Sequence, residues 1–241
     1  MKILKLAENS EVTLVDNYKK VAEVSDILLS AAIPSESINI AKNYGILTKS
    51  LFLDLNNISP ISTMIINNLF DEKESSIKGT SSNFRCSRKN NKFVKGSIIG
   101  KINSDKSIIY LSGFNAFKLS FLNGYGLNIK IVGKDIAKAS YIKTLRSIYT
   151  KGITAVTYDA FSVAKNLGLT NELCEVLTIT EGENFEDLAK SRMSSFDKFK
   201  NRKFQEMNEI LEFLNFIFNE KESESNFEMI KATKNKFKDK N

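Results

Sequence analysis

The sequence predicts an α/β region up to Gly133 followed by an all-α region. Two observations carry that prediction. Before Gly133, short apolar runs alternate with segments of helical spacing, the rhythm of βαβ units. After it, Ile136 to Leu167 contains no proline and a single glycine, and its apolar residues (Ile142, Leu145, Ile148, Ile153, Val156, Phe161) fall at helical intervals on both faces, predicting one long and mostly buried helix.

Asp26 to Ala32 (DILLSAA) reads as a strand of a parallel sheet, apolar on both faces. Ser35 to Asn43 follows with a cap-like serine and helical spacing. Leu51 to Leu55 (LFLDL) is a second buried strand, and Asn56 to Pro60 leads into a helix over Ile61 to Phe70. Asp71 to Lys92 is polar and rich in Ser, Lys and Asn, and reads as an exposed insertion loop. Three more strands are predicted over Phe93 to Ile102, Ser107 to Gly113 and Asn128 to Gly133, with a helix over Asn115 to Leu122. Beyond the long helix, Leu173 to Leu177, Phe185 to Phe196 and Met207 to Phe218 read as helices. The charged segment from Asn219 onward reads as a fraying tail. The expected division is an α/β domain over 1–133 carrying the insertion 71–92, a helical domain over 134–218 and a tail over 219–241.

Composition removes several chemistries. The 241 residues include no histidine, which excludes Ser-His-Asp and Cys-His catalysis, His-ligated zinc and a histidine proton shuttle. Any general acid or base must be Lys, Asp, Glu, Tyr or Cys. The two cysteines, Cys86 and Cys174, stand far apart and read as a reduced pair. No apolar run reaches the ~20 residues of a membrane span, and the N-terminus does not read as a signal peptide; a cytoplasmic protein is expected. The formal net charge of +7 favours anionic partners, but the lysines are spread along the chain. A small anionic metabolite is therefore expected rather than nucleic acid, for which the basic stretch Phe84 to Lys95 is the only argument.

The stretch Lys143 to Lys151 (KTLRSIYTK) places Lys143, Ser147, Thr150, Lys151 and Thr154 in a polar stripe on an otherwise apolar helix. An amine in such a setting is paired, bound to a ligand or shifted in pKa, and lysine is the side chain that desolvation most readily turns into a general acid or base near neutral pH. The plainer reading is snorkelling at a helix edge. A second stretch, Gly96-Ser97-Ile98-Ile99-Gly100, flanks a serine with glycines and would let backbone N–H groups approach an anion. An ordinary strand-to-loop turn has the same look.

In this order, VSDILLSAAIPSES, LFLDLNNISP, FVKGSIIGKI, IIYLSG and IKIVGKDIAKASYIKTLRSIYTKG resemble the β-hydroxyacid and 6-phosphogluconate dehydrogenase superfamily, from about Val12 to about Leu214. The segment KTLRSxxTKG is the most specific part, and the helical region looks like that of the superfamily's short archaeal putative-oxidoreductase branch. The resemblance implies an incomplete Rossmann-like (doubly wound) domain followed by a helical domain. It implies an oxidoreductase using NADP or NAD on a small hydroxyacid or phosphorylated metabolite. Lys143 falls at the catalytic lysine. Gly96, Ser97, Ile98 and Gly100 match the substrate-anchoring segment, and Ser147 stands where many relatives carry a substrate-binding asparagine. Ala31, Ala32 and Pro34 match a loop that touches the cofactor, and Asn56 and Ser59 a loop near the nicotinamide.

The family's opening strand, GxGxxG turn and helix find no counterpart here. The chain begins MKILKLAENSEVTLVDN, which aligns after that unit, so the strand Asp26 to Ala32 is expected to have an unpaired edge, with MKILKL as a partial surrogate strand. Two functions follow: the dehydrogenase, or a non-catalytic truncated remnant acting as a helical dimer or small-anion-binding module. A homodimer through the long helices is expected in either case.

Overall fold

The computed structural model describes residues 2–10, 12–71, 92–100, 104, 106–218 and 227–238. It forms two compact units, Met1–Lys143 and Thr144–Asn241.

The first unit is a five-stranded sheet in the order β1-β2-β3-β4-β5: β1 (Ile27–Ser30), β2 (Leu51–Asp54), β3 (Phe93–Ile99), β4 (Ile108–Ser112) and β5 (Ile129–Gly133). The strands β1, β2 and β3 run parallel, β4 runs antiparallel to β3, and β5 runs parallel to β4. Helices α1 (Lys2–Asn9) and α2 (Tyr18–Val24) precede β1. A short 3-10 turn (Pro34–Glu36) and α3 (Ser37–Asn43) link β1 to β2, and α4 (Pro60–Asp71) follows β2. The alternation read from sequence thus becomes a parallel-dominated sheet with crossover helices.

Both faces of the sheet are apolar. On one, Leu51, Leu53, Val94, Leu111 and Leu119 pack together. On the other, Phe52, Phe93, Ala41, Ile66 and Ile136 do so, with Phe52, Phe70 and Phe93 stacked at 5.6 to 5.9 Å. This is why β2 is buried throughout and reads as an unbroken apolar run apart from Asp54.

Two expectations change here. Lys2–Asn9 is helical, not a surrogate strand: Ile3, Leu4 and Ala7 fall at helical spacing, and Ala7 is buried. Among the described residues, β1 accordingly has β2 as its one neighbour. The helix expected over Asn115 to Leu122 is a 3-10 helix, Ala116–Tyr125, closed by Gly126 in the left-handed region. The insertion 71–92 lies almost wholly outside the described residues, and Cys86 with it.

The helix α5 (Lys138–Leu167) starts in the first unit. Asp135 caps it by accepting from the Ala137 N–H at 3.0 Å. The Ser112 hydroxyl donates to Ile136 O at 2.7 Å and accepts from the Ala139 N–H at 3.1 Å. Thr63 of α4 and Ser140 share a hydroxyl pair at 2.9 Å. These bonds tie the first turn of α5 to the sheet, so the division falls after Lys143 rather than at Gly133.

The second unit holds the rest of α5 with α6 (Thr170–Glu181), α7 (Phe185–Lys198), α8 (Lys200–Ile217) and α9 (Glu228–Lys236). Its core gathers Phe196, Met207, Ile210, Phe213 and Leu214. The tail expected to fray instead continues into α9: Phe237 is fully buried, 5.1 Å from Phe196, because it supplies an aromatic side chain the helical core encloses. The long helix is less buried than its two apolar faces suggested. Leu145, Tyr149, Val156 and Val163 are each more than half exposed.

Candidate functional site

In a parallel sheet of this kind, ligands bind beyond the carboxyl ends of the strands. The carboxyl ends of β1 and β2 hold a buried polar network. In register, Ser30 of β1 faces Asp54 of β2, and Asp54 faces Lys95 of β3. The side chains of Lys95 and Asp54 are each 1% exposed, with Nζ 3.3 Å from the Asp54 carboxylate. Lys95 Nζ also donates to Asp54 O at 3.2 Å and to Asn56 O at 2.7 Å. Burial pushes the Lys95 amine below its ordinary value, against the opposing pull of the Asp54 charge.

The network continues through Asn56. Its backbone N–H donates to Asp54 Oδ1 at 2.8 Å. Its side chain accepts from the Ala32 N–H at 2.5 Å and donates to the Ser30 hydroxyl at 2.9 Å. Asn56 thus bridges the ends of β1 and β2.

Beside this bridge lies an open cavity of about 670 Å³, lined by Leu28 to Ala32 of β1 and its end, Glu36, Asn39 and Ile40 of the following helices, and Tyr18 and Tyr44. Ala31 and Ala32 are exposed and line it, and their small side chains leave the backbone accessible. Pro34 is exposed at the start of the 3-10 turn. Ser59 caps α4: its hydroxyl accepts from the Ser62 N–H at 3.1 Å. Of the five residues expected at the cofactor, Ala31 and Ala32 line the cavity, Asn56 holds their backbone in place, and Ser59 caps a helix.

Gly96 to Ile99 continue β3 beyond the end of β2 and pair with β4, and Gly100 follows the strand. Ser97 is 1% exposed. Gly96 is a packing position, since a Cβ there would stand 2.5 Å from Leu55 Cδ2. Ile98 packs against the core, and Gly100 takes φ +99 at the strand end. Lys143 lies half-buried one turn beyond Ser140 on α5. Ser147 lies a further turn along, in the second unit.

Within that second unit the polar stripe is largely self-satisfied. Thr150 and Thr154 donate to the carbonyls of Arg146 and Thr150, four residues earlier. Lys151 pairs with Glu206 of α8 at 2.6 Å. Among the described residues, no group of acidic or cysteine side chains could hold a metal ion, and no helix is long and apolar enough to cross a membrane.

Sequence reasoning missed Ser30, Asp54 and Lys95. The signal was present: a lysine in FVKGSII and an aspartate in LFLDL, each a lone charge in an apolar strand.

No family model matches the chain. An uncharacterized 28.5 kDa protein from the 7S RNA 5′ region of Methanothermus fervidus is 37% identical over 237 residues, spanning 98% of this chain and 84% of that protein. Among solved structures, MTH1747, a conserved protein of unknown function with structural similarity to 3-hydroxyacid dehydrogenases, matches with a TM-score of 0.72 and 27% identity, over 97% of this chain and 81% of that one. The chain belongs to one family with the Methanothermus fervidus protein, and it shares the fold that MTH1747 has in common with 3-hydroxyacid dehydrogenases. The same fold is seen in 3-hydroxyisobutyrate dehydrogenase from Salmonella typhimurium (TM-score 0.66, 12% identity, 92% of this chain and 75% of that one). It is seen again in Psf3 in complex with NADP+ and 2-OPP (TM-score 0.63, 11% identity, 97% and 81%). The Rossmann-like sheet followed by a helical region is the architecture these structures share with this chain.

The described residues fit the ring end of a dinucleotide. The bridge at Asn56 fixes a short accessible backbone segment beside a cavity at the carboxyl end of a parallel strand. They provide no glycine-rich cradle for its pyrophosphate, and Glu36 sets a carboxylate in the turn after β1.

Proposed function

We propose that this protein is an NAD(P)-dependent oxidoreductase of the 3-hydroxyacid and 6-phosphogluconate dehydrogenase type, acting on a small hydroxyacid or phosphorylated metabolite. The observation that carries this reading is the 0.72 TM-score likeness to MTH1747, whose fold is similar to that of 3-hydroxyacid dehydrogenases, across almost the whole chain. Bound nicotinamide would supply the hydride acceptor or donor. The chain's own residues do the rest. Ala31 and Ala32 offer backbone to the ring end, with Asn56 holding them in place. Lys143 takes up the hydroxyl proton of the substrate as the hydride leaves, and returns it in the reverse direction. The first turn of α5, pinned by Ser112 and Thr63, fixes the height of Lys143 along the helix.

A second reading is a non-catalytic helical dimer module. The exposed stripe of Leu145, Tyr149, Val156 and Val163 favours it. A homodimer through this stripe belongs to both readings.

Titration with NADH and NADPH, followed by fluorescence, separates them. The oxidoreductase reading expects saturable binding, and turnover lowered by roughly 10²- to 10⁴-fold in Lys143→Ala with nucleotide affinity kept. Absence of binding to both nucleotides leaves the dimer module.

A further inference from the structure

Lys95 is a buried charged side chain on a strand whose other residues are uncharged. An ammonium has three N–H donors. Here three acceptors meet it: Asp54 O, Asp54 Oδ2 and Asn56 O. No donor is left for a ligand, so any influence on the neighbouring cavity must pass through another residue. The contacts name that residue. Asn56 is gripped on both sides of its backbone, its N–H by Asp54 Oδ1 and its carbonyl by Lys95 Nζ. With the backbone held, the side-chain amide reaches residues 24 and 26 positions earlier in the chain, Ala32 N–H and the Ser30 hydroxyl. Ser30, Ala31 and Ala32 form one wall of the cavity.

We infer that Lys95 is a positioning residue, which through Asn56 fixes the Ser30–Ala32 backbone as the ligand-facing wall of the β1 cavity. The inference rests on reading that cavity as the place of the nicotinamide end. It assigns a role to a residue that touches neither substrate nor cofactor. It also explains why a desolvated charge pair is maintained at this place in the sheet. Apolar residues of similar volume could fill the space as stably, but they could not grip the Asn56 carbonyl.

The test follows amide exchange by NMR at Ala32 and, as an internal control, at Leu53 in the middle of β2. Two variants are compared with the natural chain. Lys95→Met removes the ammonium and leaves a buried carboxylate, which alone could destabilise the fold. Asp54→Asn with Lys95→Met removes both charges but keeps an acceptor for the Asn56 N–H. In the double variant, Ala32 exchange is expected to accelerate about tenfold or more, the loss of a hydrogen-bonded anchor, while Leu53 is unchanged. NADH affinity is expected to fall by a similar factor. Unchanged protection at Ala32 would overturn the inference. Equal acceleration at Ala32 and Leu53 in the double variant would also overturn it, because the pair would then serve stability alone. If the natural chain binds neither NADH nor NADPH, the oxidoreductase reading falls, and the exchange comparison still decides whether Lys95 holds the Ser30–Ala32 wall.

Discussion

The ammonium of Lys151 on α5 lies 2.6 Å from the carboxylate of Glu206 on α8, and the guanidinium of Arg202 approaches the same carboxylate at 2.9 Å. Burial alone would push the Glu206 carboxyl up. The two cations outweigh it and hold the carboxyl below its ordinary value of 4.5. A depressed carboxylate stabilises the fold above the ordinary value, and that contribution fades as pH falls through the folded one. Glu206→Gln is expected to lose about 1 to 3 kcal/mol at pH 7, between the values for exposed and buried pairs. The deficit should shrink in acid. Urea melts at pH 7 and pH 3 measure both; an equal deficit at the two pH values would show that the charge pair is not the cause.

Glu209 should behave with the opposite sign. Burial and then the neighbouring charges of Glu206 and Glu212 push its carboxyl above 4.5. Its contribution is therefore present below that value and is lost as pH rises through the raised one. Glu209→Gln is expected to stabilise the chain at pH 7, by less than about 1 kcal/mol given its partial exposure, and to do nothing at pH 3. Thermal melts of the two single variants, run side by side, should move in opposite directions at neutral pH.

Gly96→Ala tests the packing reading of the GSIIG segment. The new Cβ would meet Leu55 Cδ2 at 2.5 Å and Leu111 Cδ2 at 3.1 Å, in a layer where Leu53 closes the third side. A loss of about 1 to 3 kcal/mol is expected from overpacking, read as a lower melting temperature. A neutral outcome would mean that Leu55 yields freely.

Phe237→Ala should cost about 3 to 5 kcal/mol, the usual range for a buried aromatic. Phe237 packs against Phe196, and the Lys203 ammonium sits 5.4 Å from its ring centre. Denaturant melts of this variant decide whether α9 is integral to the helical unit; a change under about 1 kcal/mol would make it an appendage.

Leu145, Tyr149, Val156 and Val163 recur at intervals of four and seven along α5 and stay exposed. If they meet a second copy, Val156→Lys is expected to convert a dimer to a monomer in sedimentation while leaving the melting transition cooperative. A natural chain that sediments as a monomer at all concentrations would remove the basis for this interface.

Much of this architecture could be read from residues because burial leaves a periodic trace. LFLDL and DILLSAA gave strands because the sheet is covered on both faces, and the long helix declared itself by its lack of breakers. MKILKL misled because six residues of mixed pattern fit either period. The tail misled because its charge hid one anchoring aromatic, Phe237. The site was legible in outline only. Ala31, Ala32 and Asn56 were expected at the cofactor through the resemblance, but the bond from Ala32 to Asn56 depends on strand register, which no local pattern encodes. The pairing of Asp54 with Lys95 spans 41 residues and an insertion, so each looked like an isolated oddity in its own strand.

That pairing has a consequence for how this protein can change over generations. Asp54, Asn56 and Lys95 are not three independent positions. A substitution that removed Lys95 alone would strand a buried anion, and one that removed Asp54 alone would strand a buried cation. Each intermediate is less fit to fold than either endpoint, so drift at these positions must pass a valley or proceed by concerted replacement. Among homologous chains, the three should therefore be exchanged as a set. A lineage that has abandoned the lysine should also show a different residue at 56, and with it a different path of the chain after the first strand.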